Sequence, residues 1–197
     1  MKKVILGICL VSLLSGCGNK IEAWNGTTWG MSKNELKQTL NQKLNNPELI
    51  EDDCDSDNYQ KCEAYYLKNY SIGSHRYMVS FLLVNDQLNT VSLMFQDGEF
   101  DREIMDSIDY DLDRALQEID DKRKLGRIVT SEIAGLLSDK YGEPINSELT
   151  EVSQEYKWNK NRTQVTLSSA GSMVRVLYEP DETVLKATSQ SDNSNQL

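Results

Sequence analysis

One histidine, three prolines and no apolar run near the ~20 residues of a membrane-spanning helix set the first limits on this 197-residue chain. With a single imidazole, His75, no paired-histidine metal site can form. Ser74 stands beside it, but no Gly-x-Ser-x-Gly is present to expose a serine on a strained turn, so His75 reads as a surface imidazole at the start of a strand. No glycine-rich loop has the P-loop or dinucleotide spacing. Positive charge is also short, with 21 Lys and Arg against 31 Asp and Glu. That balance disfavours nucleic acid and anionic lipid as partners by like-charge repulsion, and favours solubility or a basic partner. These absences make an enzyme the weaker class, and no cofactor is expected.

What is present begins with an address. Lys2 and Lys3 precede an apolar run from Val4 to Leu14, and Ser15 and Gly16 stand immediately before Cys17, as in a bacterial export signal. Leu14-Ser15-Gly16-Cys17 resembles the lipobox of bacterial lipoproteins. The resemblance implies a signal peptide over residues 1–16 and a mature chain that starts at a lipidated Cys17. One acyl chain holds a protein only reversibly, so the two or three chains of such lipoproteins would suffice as the membrane anchor. The exported part then carries 19 basic against 31 acidic residues, a formal charge of −12. Gly18 in place of aspartate resembles the outer-membrane-directed pattern of Gram-negative lipoproteins, on the periplasmic face; a Gram-positive host would place the domain outside its single membrane. Cys9 leaves with the signal and Cys17 is acylated, so Cys54 and Cys62 remain as a pair, and in an oxidising compartment they are expected to form a disulfide worth about 2 kcal/mol.

Residues 17–28 read as a polar tether interrupted by Trp24. A helix opens after it, with Ser32 as N-cap, Glu35 completing a capping box, and Met31 and Leu36 as a hydrophobic staple. Leu36, Leu40 and Leu44 form its apolar stripe, and Pro47 lies beyond its end. An acidic loop from Glu48 to Lys61 surrounds Cys54. Ala64 to Tyr70 reads as a strand, and Val79, Phe81 and Leu83, then Val91, Leu93 and Phe95, alternate on either side of Asn85-Asp86 as a hairpin. Phe100, Ile104, Ile108, Leu112, Leu116 and Ile119 recur at helical spacing; Gly126 either breaks or bends that helix, which ends at Gly142 and Pro144. Three strands follow, marked by Tyr156 and Trp158, by Val165 and Leu167, and by Val174, Val176 and Tyr178. The order of one helix and three strands thus occurs twice. The expected fold is α+β, with a tandem α-β-β-β repeat over 29–98 and 99–180 that joins two small sheets or one continuous sheet. Residues 181–197 are too polar to offset ordering entropy and read as a disordered tail.

Gly30-Met31-Ser32 with Glu35-Leu36 resembles the helix-opening motif of the BamE (SmpA/OmlA) lipoproteins, and Tyr141-Gly142-Glu143-Pro144 followed by Trp158 resembles that family's later helix end and aromatic strand. The fold this resemblance implies is helices packed on one face of an antiparallel sheet, and in tandem such units resemble the beta-lactamase-inhibitor-protein architecture. The implied role in both is to bind other proteins. The expected function is therefore a non-enzymatic envelope lipoprotein serving as a protein-binding scaffold. An inhibitor or immunity protein against an envelope hydrolase or toxin is the alternative, and a hydrolase using carboxylates near Asp52 to Asp57 is a third reading. The candidate partner surface is the acidic helix Asp101 to Asp121, with Asp106, Asp109, Asp113 and Glu118 offered to a basic envelope protein. Asp53, Asp55 and Asp57, and Asp109, Asp111 and Asp113, alternate like the start of a calcium loop. Neither run has glycine at the sixth position or glutamate at the twelfth, so no metal is assigned.

Overall fold

The computed structural model describes residues 22–45, 47–54, 61–96 and 112–183. Cys17, most of the acidic loop, the stretch holding Asp106 and Asp109, and the segment from 184 onward lie outside the described residues. Ten elements follow one another: α1 (Lys33–Leu44), β1 (Leu49–Asp53), β2 (Cys62–Ile72), β3 (His75–Val84), β4 (Gln87–Phe95), α2 (Leu112–Tyr141), β5 (Asn146–Leu149), β6 (Ser153–Lys160), β7 (Thr163–Ala170) and β8 (Met173–Pro180). All eight strands join one antiparallel sheet in the order β1-β2-β3-β4-β8-β7-β6-β5. Among the described residues, no helix is long and apolar enough to cross a membrane.

The local signals act as their chemistry requires. Ser32 and Glu35 form the capping box, and Asn45 ends α1 in the left-handed conformation. Asn85-Asp86 and Asn161-Arg162 all have positive φ, which suits the tight turns of right-twisted hairpins. Leu36 and Leu40 of α1, and Val129, Ile133 and Leu137 of α2, cover one sheet face made of Tyr65, Val79, Phe81, Val91, Leu93, Trp158, Val165, Leu167, Val176 and Tyr178. The Trp158 indole donates to the carbonyl of Gly142 at 2.9 Å and ties β6 to the end of α2.

Three features differ from the sequence expectation among the described residues. Each helix is followed by four strands rather than three, because β1 and β5 are edge strands. An edge strand needs a partner on one side only, and the exposed Asn146–Leu149 of β5 has no apolar alternation to announce it. The tether reading fails from residue 22 onward. Glu22 bridges Thr28, Ala23 and Trp24 are buried, and Trp24 meets the rings of Tyr70 and Phe81 at 5.2 and 5.7 Å. The chain there is a strap over the core, hydrogen-bonded through Gly30 and Met31 to Leu88.

The third difference lies in α2. Of the two outcomes left open at Gly126, a break is excluded, because the helix runs continuously through it. A Cβ at Gly126 would stand 2.5 Å from the carbonyl oxygen of Gly171, so the glycine permits the helix to touch the β7–β8 turn. Beyond that contact the sheet ends. Leu112 and Leu116 therefore stay 58% and 53% exposed, although their spacing marks them as a face to be covered.

Candidate protein-binding face

Successive side chains of a strand alternate between faces, so the residues between the core positions form a second surface. One register line crosses the whole sheet through Ile50, Tyr66, Ser80, Ser92, Leu177, Thr166, Lys157 and Asn146. A neighbouring line runs through Met78, Met94, Arg175, Ser168, Glu155 and Glu148. Leu82 pairs across Ala64 and Thr90 on the same side. Both helices pack on the opposite face.

A sheet covered on one side ordinarily presents polar side chains on the other. Here Ile50, Tyr66, Met78, Leu82, Met94, Met173 and Leu177 put apolar surface there, with Ile50 38% and Met173 64% exposed. Toward β5 the surface becomes charged. Arg175 donates from Nε to Ser92 Oγ at 3.0 Å, and Lys157 pairs with Glu155 at 2.8 Å. A depression of about 470 Å³ lies between Met94, Met173, Arg175, Glu148 and Glu155. An apolar field beside a charged border departs from the polar surface expected of a solvated sheet.

The sequence missed this face because the even-numbered positions of β3 looked like spacers. The signal was nevertheless present: Met78, Leu82 and Val84 are apolar in a strand whose other parity, Tyr77, Val79, Phe81 and Leu83, already fills the core.

Of the residues expected to meet a partner, Asp113 is exposed at the start of α2 and Glu118 is half-buried one turn and a half further on, neither of them on the open sheet face. Cys54 and Cys62 are placed at disulfide distance, with Cα atoms 5.4 Å apart, closing the acidic loop at the β1–β2 edge. His75 Nε2 lies 3.2 Å from Glu132, and its ring stands edge-on to Phe95, which joins β3 to α2. Among the described residues, no serine or cysteine hydrogen-bonds to it.

A cluster of titratable groups lies at this same β1–β2 edge. Lys33 Nζ reaches Glu51 and, at 3.0 Å, Glu63; the Tyr65 hydroxyl lies within hydrogen-bond distance of Glu63, at 2.8 Å, and of Glu51, at 3.0 Å; Lys37 approaches Glu51 at 3.3 Å. Burial pushes the Tyr65 hydroxyl above its usual range. The hydrogen bond to Glu51 raises Lys33. Tyr65 and then Lys33 hold Glu63 down to about 2. These five groups are linked to one another, so the cluster clamps β1 and β2 to α1.

That clamp has a pH signature. A carboxylate with a depressed folded pKa stabilises the fold above its unfolded value of 4.5, and this contribution disappears as pH falls through 4.5 toward 2. Glu63→Gln is expected to lower the melting temperature at pH 7, with a gap from the parent that narrows steadily between pH 5 and pH 2.5 in a thermal-melt series. A gap independent of pH would show that Glu63 acts by packing alone.

No known family, curated protein or solved structure matches this chain.

Proposed function

We propose that the chain is an envelope lipoprotein, anchored by acyl chains on Cys17, that binds another protein on its open sheet face and catalyses no reaction. The observation that carries this reading is the apolar field of Tyr66, Leu82, Met94 and Leu177 on the side of the sheet away from both helices. In a Gram-negative host, Gly18 favours the periplasmic side of the outer membrane. The order of one helix and four strands occurs twice, and the halves meet where β4 pairs with β8. That symmetry supports a tandem duplication and the resemblance to BamE-like and beta-lactamase-inhibitor-like scaffolds.

The test is photocrosslinking in cells from positions 82 and 177, followed by binding measurements on the captured protein. Leu177→Ser combined with Met173→Asp is expected to weaken that complex about tenfold or more, equal to about 1.4 kcal/mol, with the melting temperature nearly unchanged. If those changes leave affinity intact while Asp113→Lys and Glu118→Lys abolish it, the acidic helix is the partner surface and the sheet is not.

The inhibitor or immunity reading has one observation in its favour: the paired cysteines hold the base of an acidic loop beside Ile50 and Tyr66, at the edge of the same face. A captured hydrolase that loses activity on stoichiometric binding would select it.

A further inference from the structure

The strap fixes where the chain leaves the domain. The carbonyl of Glu22 accepts from Thr163 Oγ1 at 2.9 Å, and that hydroxyl in turn accepts from the Trp29 indole at 2.9 Å. Four residues lie between Cys17 and Glu22, five steps of the chain with a reach of at most about 18 Å. An acyl anchor at Cys17 would therefore keep this corner close to the bilayer.

A small cavity of about 160 Å³ brings Glu22 beside Lys140 and Lys160. Lys160 Nζ donates to the carbonyl of Lys140 at 2.9 Å, and the Lys140 ammonium stands 5.1 Å from the centre of the Tyr141 ring. Arg162 follows in the β6–β7 turn and donates to Thr183 at 3.1 Å. Asp139, Glu143, Asp181 and Glu182 share this end with Glu22, so carboxylates and cations are interspersed there. Lys140, Lys160 and Arg162 nevertheless stand exposed, three cations that phosphate oxygens can reach.

We infer that the corner formed by the end of α2 and the β6–β7 turn lies against phospholipid headgroups, with Lys140, Lys160 and Arg162 facing their phosphates. This rests on the lipid-anchor reading above. The opposite end of α2 then points away from the membrane: Lys124 is sixteen residues back along the helix from Lys140, roughly 24 Å. The open sheet face runs between the two ends and remains accessible to a partner from the side.

The test uses the lipidated full chain in vesicles of phosphatidylethanolamine and phosphatidylglycerol, with the unacylated Cys17→Ser chain in solution as reference. Amines are acetylated with a reagent that cannot cross the bilayer, and labelling is read by peptide mass spectrometry. The expected result is labelling of Lys140 and Lys160 several-fold slower in the vesicles, with Lys124 unchanged. An acylated, vesicle-bound protein whose three lysines react as they do in solution overturns the orientation alone. A chain without acyl mass on Cys17, or one that fails to sediment with the vesicles, overturns the anchor and the orientation with it.

Discussion

Trp24→Ala is expected to lower stability by about 3–5 kcal/mol, the range for removing a buried tryptophan, and to lower the melting temperature by roughly 10 °C in a domain of this size. The side chain is 6% exposed and lies against Tyr70 of β2 and Phe81 of β3, while the hairpin around it is closed by Ala23 donating to Thr27 and Thr27 donating to Trp24. Loss of the indole leaves a void that neither backbone can fill, because Glu22 is tied to Thr163 and Met31 to Leu88. Trp29→Phe is the informative contrast. It keeps a half-buried ring and removes only the hydrogen bond to Thr163, at about 1 kcal/mol. Chemical denaturation of both variants measures the difference. A cost below 1 kcal/mol for Trp24→Ala would return residues 22–28 to the status of a tether and would also remove the basis for a fixed membrane-facing corner.

The strap illustrates which kinds of structure the sequence discloses. Ser32 with Glu35, and Asn85 with Asp86, act within four residues of themselves, so their chemistry is readable from the chain alone. The alternation in β3, β4, β7 and β8 is equally legible, because one face of each strand must meet the helices. A single tryptophan in a polar run has no period. Its burial depends on Tyr70 and Phe81, which arrive from strands far along the chain. The edge strands escape notice for the converse reason: β1 and β5 are held by backbone pairing to β2 and β6, a bond that any side chain permits.

The candidate site was hidden by the same logic. Periodicity identifies the face an element can bury, without saying whether anything lies beneath it. Leu112 and Leu116 continue the stripe of Ile133 and Leu137, yet the sheet stops at the β7–β8 turn and leaves them exposed. Leu82, Met94 and Leu177 became one surface only once three neighbouring strands placed them on the same face, on adjacent register lines. The acidic residues drew attention because charge is conspicuous in a sequence; an apolar field assembled from single residues of separate strands is not.

Gly126→Ala puts the end of that sheet to the test and carries the second large effect. In a bare helix the change would add about 1 kcal/mol of stability, because glycine is the poorer helix former. Here the new methyl would meet the Gly171 carbonyl oxygen at 2.5 Å and the Ser172 Cα at 3.1 Å. Both neighbours are backbone, so no side-chain rotation relieves the overlap. Overpacking of this kind costs about 1–3 kcal/mol and occasionally more, so after the gain in helix propensity the net expectation is a loss of about 1–2 kcal/mol. Gly135 lies nine residues on in the same helix, is exposed, and has open space where a Cβ would stand. Gly135→Ala is therefore expected to stabilise by about 0.5–1 kcal/mol. Opposite signs for the two alanines in urea titrations identify the close approach of α2 to the β7–β8 turn; equal stabilisation by both would mean that the helix does not touch the turn and that its exposed first half is not an overhang set by the end of the sheet.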